Sequence, residues 1–412
     1  MKKKIDISEL RKGMYVCELD RPWLESTFLF QGFLVDSDAQ LDEMKELCQF
    51  VYIDPERAAN ASKEKLPTEP ESNTVSDHTQ RPYIRKFEDE IPPAQEIRNE
   101  ASAYMEQVFH DVRAGKSIEG KQARKVVAGM VASILRNPDA LVLLSSLREH
   151  DEFAVAHSIN VCTLCLAFGR YMGFSASELT ELGMGALLHD VGEIRVPANI
   201  MRREGLLSKE ENQIMQTHTT HGADILRNSS DIPTSAIDVA LSHHERSRGQ
   251  GYPQGIYEKD IGYYSRIVGM IDVYDSVTTS HGHRRGISST EALKNMYNWR
   301  NSLFDAKLIE NFIQCLGIYP IGSVVELGSG EVGIVISVSL EHRLLPKLLL
   351  VRDKAKKAYS PPKIINLAQY IDLEHRSEYE ISKVLESDAY GIDLKSYLLR
   401  ELPLEARVGR AI

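Results

Sequence analysis

The stretch from Gly185 to Asp272 constrains this 412-residue chain more than any other, because GALLHDVGEIRVP, MQTHTTHGADIL, LSHHERSRGQGYP and RIVGMIDVYD follow one another there. Each segment sets an imidazole or a carboxylate at the end, or on one face, of an expected helix. Nine of the 13 histidines lie between His150 and His283, where even spreading would put about four. His and Asp are the donors that borderline divalent metals accept without a sulfur site. The first reading is therefore a metal centre held by helices.

The residues can be taken one at a time. His157 sits in HSINV, with Asn160 one turn along. His189 and Asp190 end an apolar helix just before Gly192, where side chains project past the helix terminus. His218 shares a face with Ile214 and Ile225 and is expected to point inward. Asp272 lies between Ile271 and Val273, deep in an apolar helix. A carboxylate there has to be paired, protonated or bound to a cation. A hydrogen-bonded core histidine or a buried ion pair explains any one of these alone, but not the set together.

Around this stretch the chain is long enough for two or three domains. Residues 1–56 read as a β-rich module, with strands over KKKIDIS, MYVCEL, STFLFQGFLV and FVYID and a short helix over AQLDEMKELC. Residues 57–82 are polar and read as a flexible linker. Over 83–148, apolar residues recur at three and four (Ile97, Ala101, Met105, Val108; Val126, Val127, Met130, Ile134), which predicts two or three connecting helices. Residues 149–318 are expected to be helical. Ser208 with Glu211 forms a capping box for the helix carrying His218, and Pro233 opens the helix carrying His243 and His244. Over 319–412 the period returns to two, predicting a short hairpin-like β extension turning at Gly328 to Gly330, then a charged tail. The fold class is mainly α.

A net charge of −10 argues against duplex nucleic acid or anionic lipid as a partner. Five cysteines in a long chain form no disulfide framework, so a reducing cytoplasm is expected. MKKKIDISEL lacks the apolar core of an export signal, and no run of about 18 apolar residues predicts a membrane span.

The order His157, His189-Asp190, Asp272 resembles the HD phosphohydrolase superfamily. His218, His243-His244-Glu245 and Gly249 to Pro253 (GQGYP) extend the likeness to its HD-GYP branch. LRKGMYVCELDRPWL followed by FLFQGF resembles the domain of unknown function that often precedes HD-GYP domains, and YPIGSVVEL resembles the usual extension after them. The resemblance implies a phosphodiesterase that hydrolyses cyclic di-GMP to linear pGpG and then GMP, with two or three divalent ions, commonly iron or manganese. Two are expected here. Carried over by position, the metal ligands are His157, His189, Asp190, His218, His243, His244 and Asp272, with Asp190 the bridge. Two cations joined by a carboxylate lower the pKa of a shared water and neutralise the attacked phosphodiester. Asp190, Glu193 and Asp151 are the candidate catalytic residues; Arg248, Tyr252, Arg284 and Arg285 are candidates for substrate binding.

Three departures bear on activity. Glu193 stands where the family has Lys, Arg248 where it has Asp, and Ser280-His281-Gly282-His283 where it has DRPY. Glu193 and Arg248 are expected to act as a charge-exchanged pair. Phe153 occupies the position where some members place a third-metal Glu. The alternatives are therefore a phosphodiesterase for cyclic GMP-AMP, or a weakly active adaptor that docks GGDEF-domain proteins through the GYP loop. Among decoys, His150-Asp151 lacks the following glycine, Cys162 and Cys165 read as core, and His221 reads as a surface or supporting residue.

Overall fold

The computed structural model describes residues 3–19, 33–35, 41, 44–45, 48–53, 84–146, 153–201, 203, 205, 207–279, 286–300, 302–338, 344–370, 376–386, 389–392 and 397. The chain divides into two units, Met1–His78 and Thr79–Ile412.

The first unit is an antiparallel sheet of β1 (Lys3–Asp6), β2 (Tyr15–Leu19), β3 (Phe33–Leu34) and β4 (Phe50–Ile53), in the order β1-β4-β2-β3. Alternation sends Ile5, Val16, Val51 and Ile53 to one side, where they pack with Leu10, Val35, Met44 and Cys48. All of STFLFQG and most of the expected helix over AQLDEMKELC lie outside the described residues.

The second unit opens with α1 (Phe87–Arg113), α2 (Gly120–Arg136) and α3 (Pro138–Ser146). Glu90 is fully buried at the start of α1 and accepts hydrogen bonds from Ser133 and Arg136 at 2.7–2.8 Å, so its charge is compensated on α2. Helix α4 (Phe153–Tyr171) is apolar on every side and therefore central, with Ile159, Cys162, Leu166 and Phe168 fully buried. By length and hydropathy it could cross a membrane, yet 67% of it is buried inside this unit, as expected of a core helix. Phe168 meets Phe312 edge-on at 5.5 Å, a pair worth about 0.5–1.5 kcal/mol beyond its buried area.

Next come α5 (Ala176–Leu188), a 3-10 turn (Val191–Arg195), α6 (Ala198–Met201), α7 (Lys209–Gln216), α8 (His218–Arg227), α9 (Thr234–Ser242), α10 (Tyr263–Thr278), α11 (Ser289–Trp299) and α12 (Ala306–Leu316). Both Ser175–Glu178 and Ser208–Glu211 form capping boxes. The Ser208 helix does not run on to His218 as expected: it stops at Gln216, and His218 begins a new one after Thr217. Nor does Ile214 share a buried face with His218, being 40% exposed.

The C-terminal part is more than a hairpin. It is a five-stranded antiparallel sheet, β8-β7-β6-β5-β9, built from Val324–Leu327, Val332–Ser337, Lys347–Arg352, Ala358–Asn366 and Ile381–Leu385 as β5 to β9. The expected turn between the first two strands is present, but β6 then pairs with β7, and β5 with the distant β9. Ser337 of β6 donates to Asp139 of α3 at 2.5 Å, tying this sheet to the helices.

Candidate metal centre

Local structure explains why so many imidazoles converge. His189 caps α5, His243 caps α9 with His244 following, and His218 opens α8, so each leaves a helix end rather than a crowded flank. The C-termini of α5 and α9 each carry roughly half a negative charge, which favours a cation nearby. His157 lies one turn into α4, and Asp272 sits on α10. Two glycines bring the backbones together. A β-carbon on Gly192 would lie 1.9 Å from the His218 carbonyl oxygen, and one on Gly269 would lie 2.0 Å from that of His243.

Asp190 is the hub. Its Oδ2 lies 3.1 Å from His189 Nε2 and 3.7 Å from His157 Nε2, while Oδ1 lies 3.2 Å from His243 Nε2 and 3.5 Å from His218 Nε2. Two donor sets result: His157, His189, Asp190 and Asp272, and Asp190, His218, His243 and His244, each with ligand atoms within 4.8 Å of one another. They share only Asp190.

The tautomers fit a cation. His189, His218 and His243 donate from Nδ1 to the carbonyls of Ala186, Met215 and Val239 at 2.8–3.0 Å. In the neutral imidazoles, the form that binds a metal, the Nε2 lone pairs then face the carboxylate. Acceptor therefore meets acceptor, with His218 Nε2 and His243 Nε2 3.4 Å apart. His189 Nε2 and Asp190 Oδ1 are buried without a hydrogen bond, a costly arrangement unless a cation lies between them. The residues present fit a divalent-metal site.

Electrostatics agree. Burial would raise the Asp190 carboxyl, but His189, His243 and His218 hold it well below the usual carboxylate range. Asp272 is likewise held down, against burial, by His157 and His244. Burial and neighbouring His243 keep His244 neutral, and so ready to ligate. His157 goes the other way: burial would lower it, but Asp272 and Asp275 raise it well above the ordinary value. Protonated, His157 Nε2 faces Asp272 and Asp190 where a cation held by this set would compete with the proton.

The remaining candidates are placed as follows. Glu193 lies on the turn after Asp190, where burial and then the charges of Asp190 and Asp272 push its carboxyl up to about 8. Tyr252 stacks on His244 at 4.6 Å. Arg248 is exposed on the same loop and pairs with Tyr257 in an isolated bridge. Phe153 stacks parallel to His157 at 5.6 Å. His150, Asp151, Ser280, His281, Gly282, His283, Arg284 and Arg285 lie outside the described residues. Cys162 and Cys165 are buried core and His221 is half-buried.

Two functional roles escaped the sequence reading. Asp275 accepts a hydrogen bond from His157 Nδ1 at 2.7 Å. Its signal was the spacing Asp272-x-x-Asp275, which puts both carboxylates on one helix face. The Glu245 carboxylate accepts the backbone N–H groups of Gln254, Gly255 and Ile256 at 2.7–3.2 Å, anchoring the segment just after GQGYP.

A helical bundle with two His/Asp donor sets joined through one Asp defines the class: a divalent-metal protein of the HD type. Comparison with known proteins narrows this. Residues 2–123 match a domain of unknown function (DUF3391), and residues 142–308 match the HD domain. The chain is 33% identical over 378 residues, 90% of each protein, to Cyclic di-GMP phosphodiesterase PA4108 of Pseudomonas aeruginosa. It is 32% identical over 178 residues to a Cyclic di-GMP phosphodiesterase of Thermotoga maritima, covering 43% of this chain and 48% of that one. It is also 28% identical over 160 residues to 3'3'-cGAMP-specific phosphodiesterase 2 of Vibrio cholerae, covering 39% and 31%. The chain belongs to the HD-GYP family of HD-domain proteins, with DUF3391 preceding the HD domain.

Proposed function

We propose that this protein hydrolyses cyclic di-GMP to linear pGpG and/or GMP. The observation that carries this reading is the pair of donor sets sharing Asp190, in a chain alike over 90% of its length to a cyclic di-GMP phosphodiesterase. We assign metal ligation to His157, His189, Asp190, His218, His243, His244 and Asp272, with two ions per chain, iron or manganese. Bound there, divalent ions supply hydroxide near neutral pH and offset phosphodiester charge.

The chain's own residues do the rest. Asp190 spans the two sets, the carbonyls of Ala186, Met215 and Val239 fix the imidazole tautomers, and Asp275 orients His157. Tyr252 covers His244 and lines the substrate side. We assign Glu193, three residues past Asp190, as the group that carries a proton to the departing ribose oxygen. Arg248 serves the substrate from the loop, together with Arg284 and Arg285, and Asp151 joins Asp190 and Glu193 in catalysis. We retain the module boundaries 1–56, 57–82, 83–148, 149–318 and 319–412, the GQGYP loop as a GGDEF-docking element, and a cytoplasmic setting, which the free thiols of Cys48, Cys162, Cys165 and Cys315 support.

Turnover of cyclic di-GMP by anaerobically purified, metal-supplemented protein, resolved by chromatography, tests the reading. Release of pGpG or GMP is expected; a fully loaded protein that leaves cyclic di-GMP intact overturns it. Likeness to a 3'3'-cGAMP-specific enzyme supports running cyclic GMP-AMP alongside. Loaded protein inert to both leaves the adaptor reading.

A further inference from the structure

His243 and His244 are consecutive, yet both rings enter the metal centre. Their centroids are 4.2 Å apart, with His243 Nε2 3.2 Å from Asp190 Oδ1 and His244 Nδ1 3.9 Å from Asp272 Oδ2. Adjacent residues of a helix project in different directions, so bringing both rings to one place demands a defined turn at the end of α9.

The last carbonyls of a helix have no partner within it, and at this turn Arg246 supplies one. A terminal guanidinium nitrogen of Arg246 donates to the carbonyls of His243 at 3.0 Å and of Glu245 at 2.9 Å. The His244 carbonyl between them accepts the Tyr252 N–H at 3.3 Å. Three successive carbonyls of the ligand-bearing turn are thereby fixed, two of them by a single side chain.

The guanidinium is half-buried, its carbon 4.9 Å from the centroid of the Phe304 ring. Among the described residues no carboxylate oxygen comes within 4.0 Å of its nitrogens; Asp272 and Glu245 attract it from farther off. A cation beside a site built for cations is costly unless something nearer offsets it. The end of α9, which carries about half a negative charge, and the face of Phe304 provide that offset. Helix α10 closes on the same carbonyl, since a β-carbon on Gly269 would lie 2.0 Å from the His243 oxygen. Held by a guanidinium and crowded by a neighbouring backbone, that oxygen is kept from turning to a bound cation in place of the imidazole.

We propose that Arg246 is a positioning residue of the metal centre, pinning the turn after α9 so that His243 and His244 both present their ring nitrogens to it. This deepens the proposed function and rests on the metal reading of the two donor sets.

Zinc titration of the full chain, followed at each imidazole by proton–nitrogen NMR, tests this without turnover. Arg246→Met should weaken zinc at the set of His218, His243 and His244 about tenfold, and leave the set of His157 and His189 within about threefold. In the metal-free variant the ring signals of His243 and His244 should shift while those of His157 and His189 stay. Arg246→Lys, which keeps a charged donor, should recover most of the affinity. If Arg246→Met does not fold, Arg246→Lys decides, its smaller loss falling on the His243 set alone. Equal loss at both sets, or no change in either variant, overturns the proposal. Weaker binding of cyclic di-GMP with both sets intact also overturns it and makes Arg246 a phosphate contact. A parent chain that takes up no zinc overturns the metal reading instead, and the metal-free ring signals then decide whether Arg246 aims the two imidazoles.

Discussion

Asp275 Oδ2 and His157 Nδ1 stand 2.7 Å apart on neighbouring helices, both buried, and the bond between them turns His157 Nε2 toward Asp190 and Asp272. A carboxylate behind an imidazole fixes its tautomer and raises its basicity. Asp275→Asn should therefore lower affinity at the His157, His189, Asp190, Asp272 set by about 10–100-fold. The His218, His243, His244 set should change much less. Metal titration with circular dichroism as control measures both; equal loss at the two sets rejects the positioning role.

Asp190→Ala removes the only donor common to the two sets. Metal content should fall at both, hydrolysis should be abolished, and helical ellipticity should remain near that of the parent protein. Retained turnover would count against the proposed site as a whole.

Gly269→Ala would put a β-carbon 2.0 Å from the His243 carbonyl oxygen, which is backbone and has nowhere to go. A loss of about 2–4 kcal/mol is expected, with weaker metal binding. Gly129→Ala is the matched control. Its nearest neighbour is an Ile97 methyl at 4.0 Å, so helix propensity should stabilise the fold by about 0.5–1 kcal/mol. Urea unfolding of the two variants separates packing from propensity.

In the metal-free protein, Glu193 should titrate near pH 8 because burial and Asp190 disfavour its anion. A raised carboxyl pKa contributes stability that is full below the ordinary value of 4.5 and is lost as pH rises through about 8. Infrared or carbon NMR titration should find this group, Glu193→Gln should abolish it, and saturating divalent metal should move it down. A Glu193 titration near 4.5 in metal-free protein would show that burial and Asp190 do not raise it.

Metal binding must displace the proton that Asp272 and Asp275 stabilise on His157. Affinity should therefore fall as pH is lowered, and calorimetry in buffers of different ionisation enthalpy should show proton release. No dependence on buffer would mean that His157 is neutral before metal arrives.

The centre was legible in the sequence because buried imidazole and carboxylate are costly, so nine histidines in one third of the chain could hardly be incidental. Asp275 was not, since one more aspartate on a helix reads as solvated until the facing His157 is known. The break at Thr217 was hidden by good helical periodicity on either side of it. The C-terminal sheet was underread for a different reason. Strands β8 and β9 are mostly half-exposed without clean alternation, and β9 finds β5 across more than fifty residues, so local pattern carried little of the pairing. Glu245 read naturally with its histidine neighbours, and only the loop's N–H groups reveal what its charge is for.

The single shared carboxylate has a further consequence for occupancy. A first cation would draw on the one Asp190 carboxylate that both sets share, and would repel a second dication nearby. Uptake should thus be stepwise with negative cooperativity, the singly filled protein persisting over a wide range of metal supply. Were both sets filled, Asp190 and Asp272 would be their carboxylates among the described residues. The surplus positive charge of that state would be left for the phosphates of an incoming dinucleotide to complete.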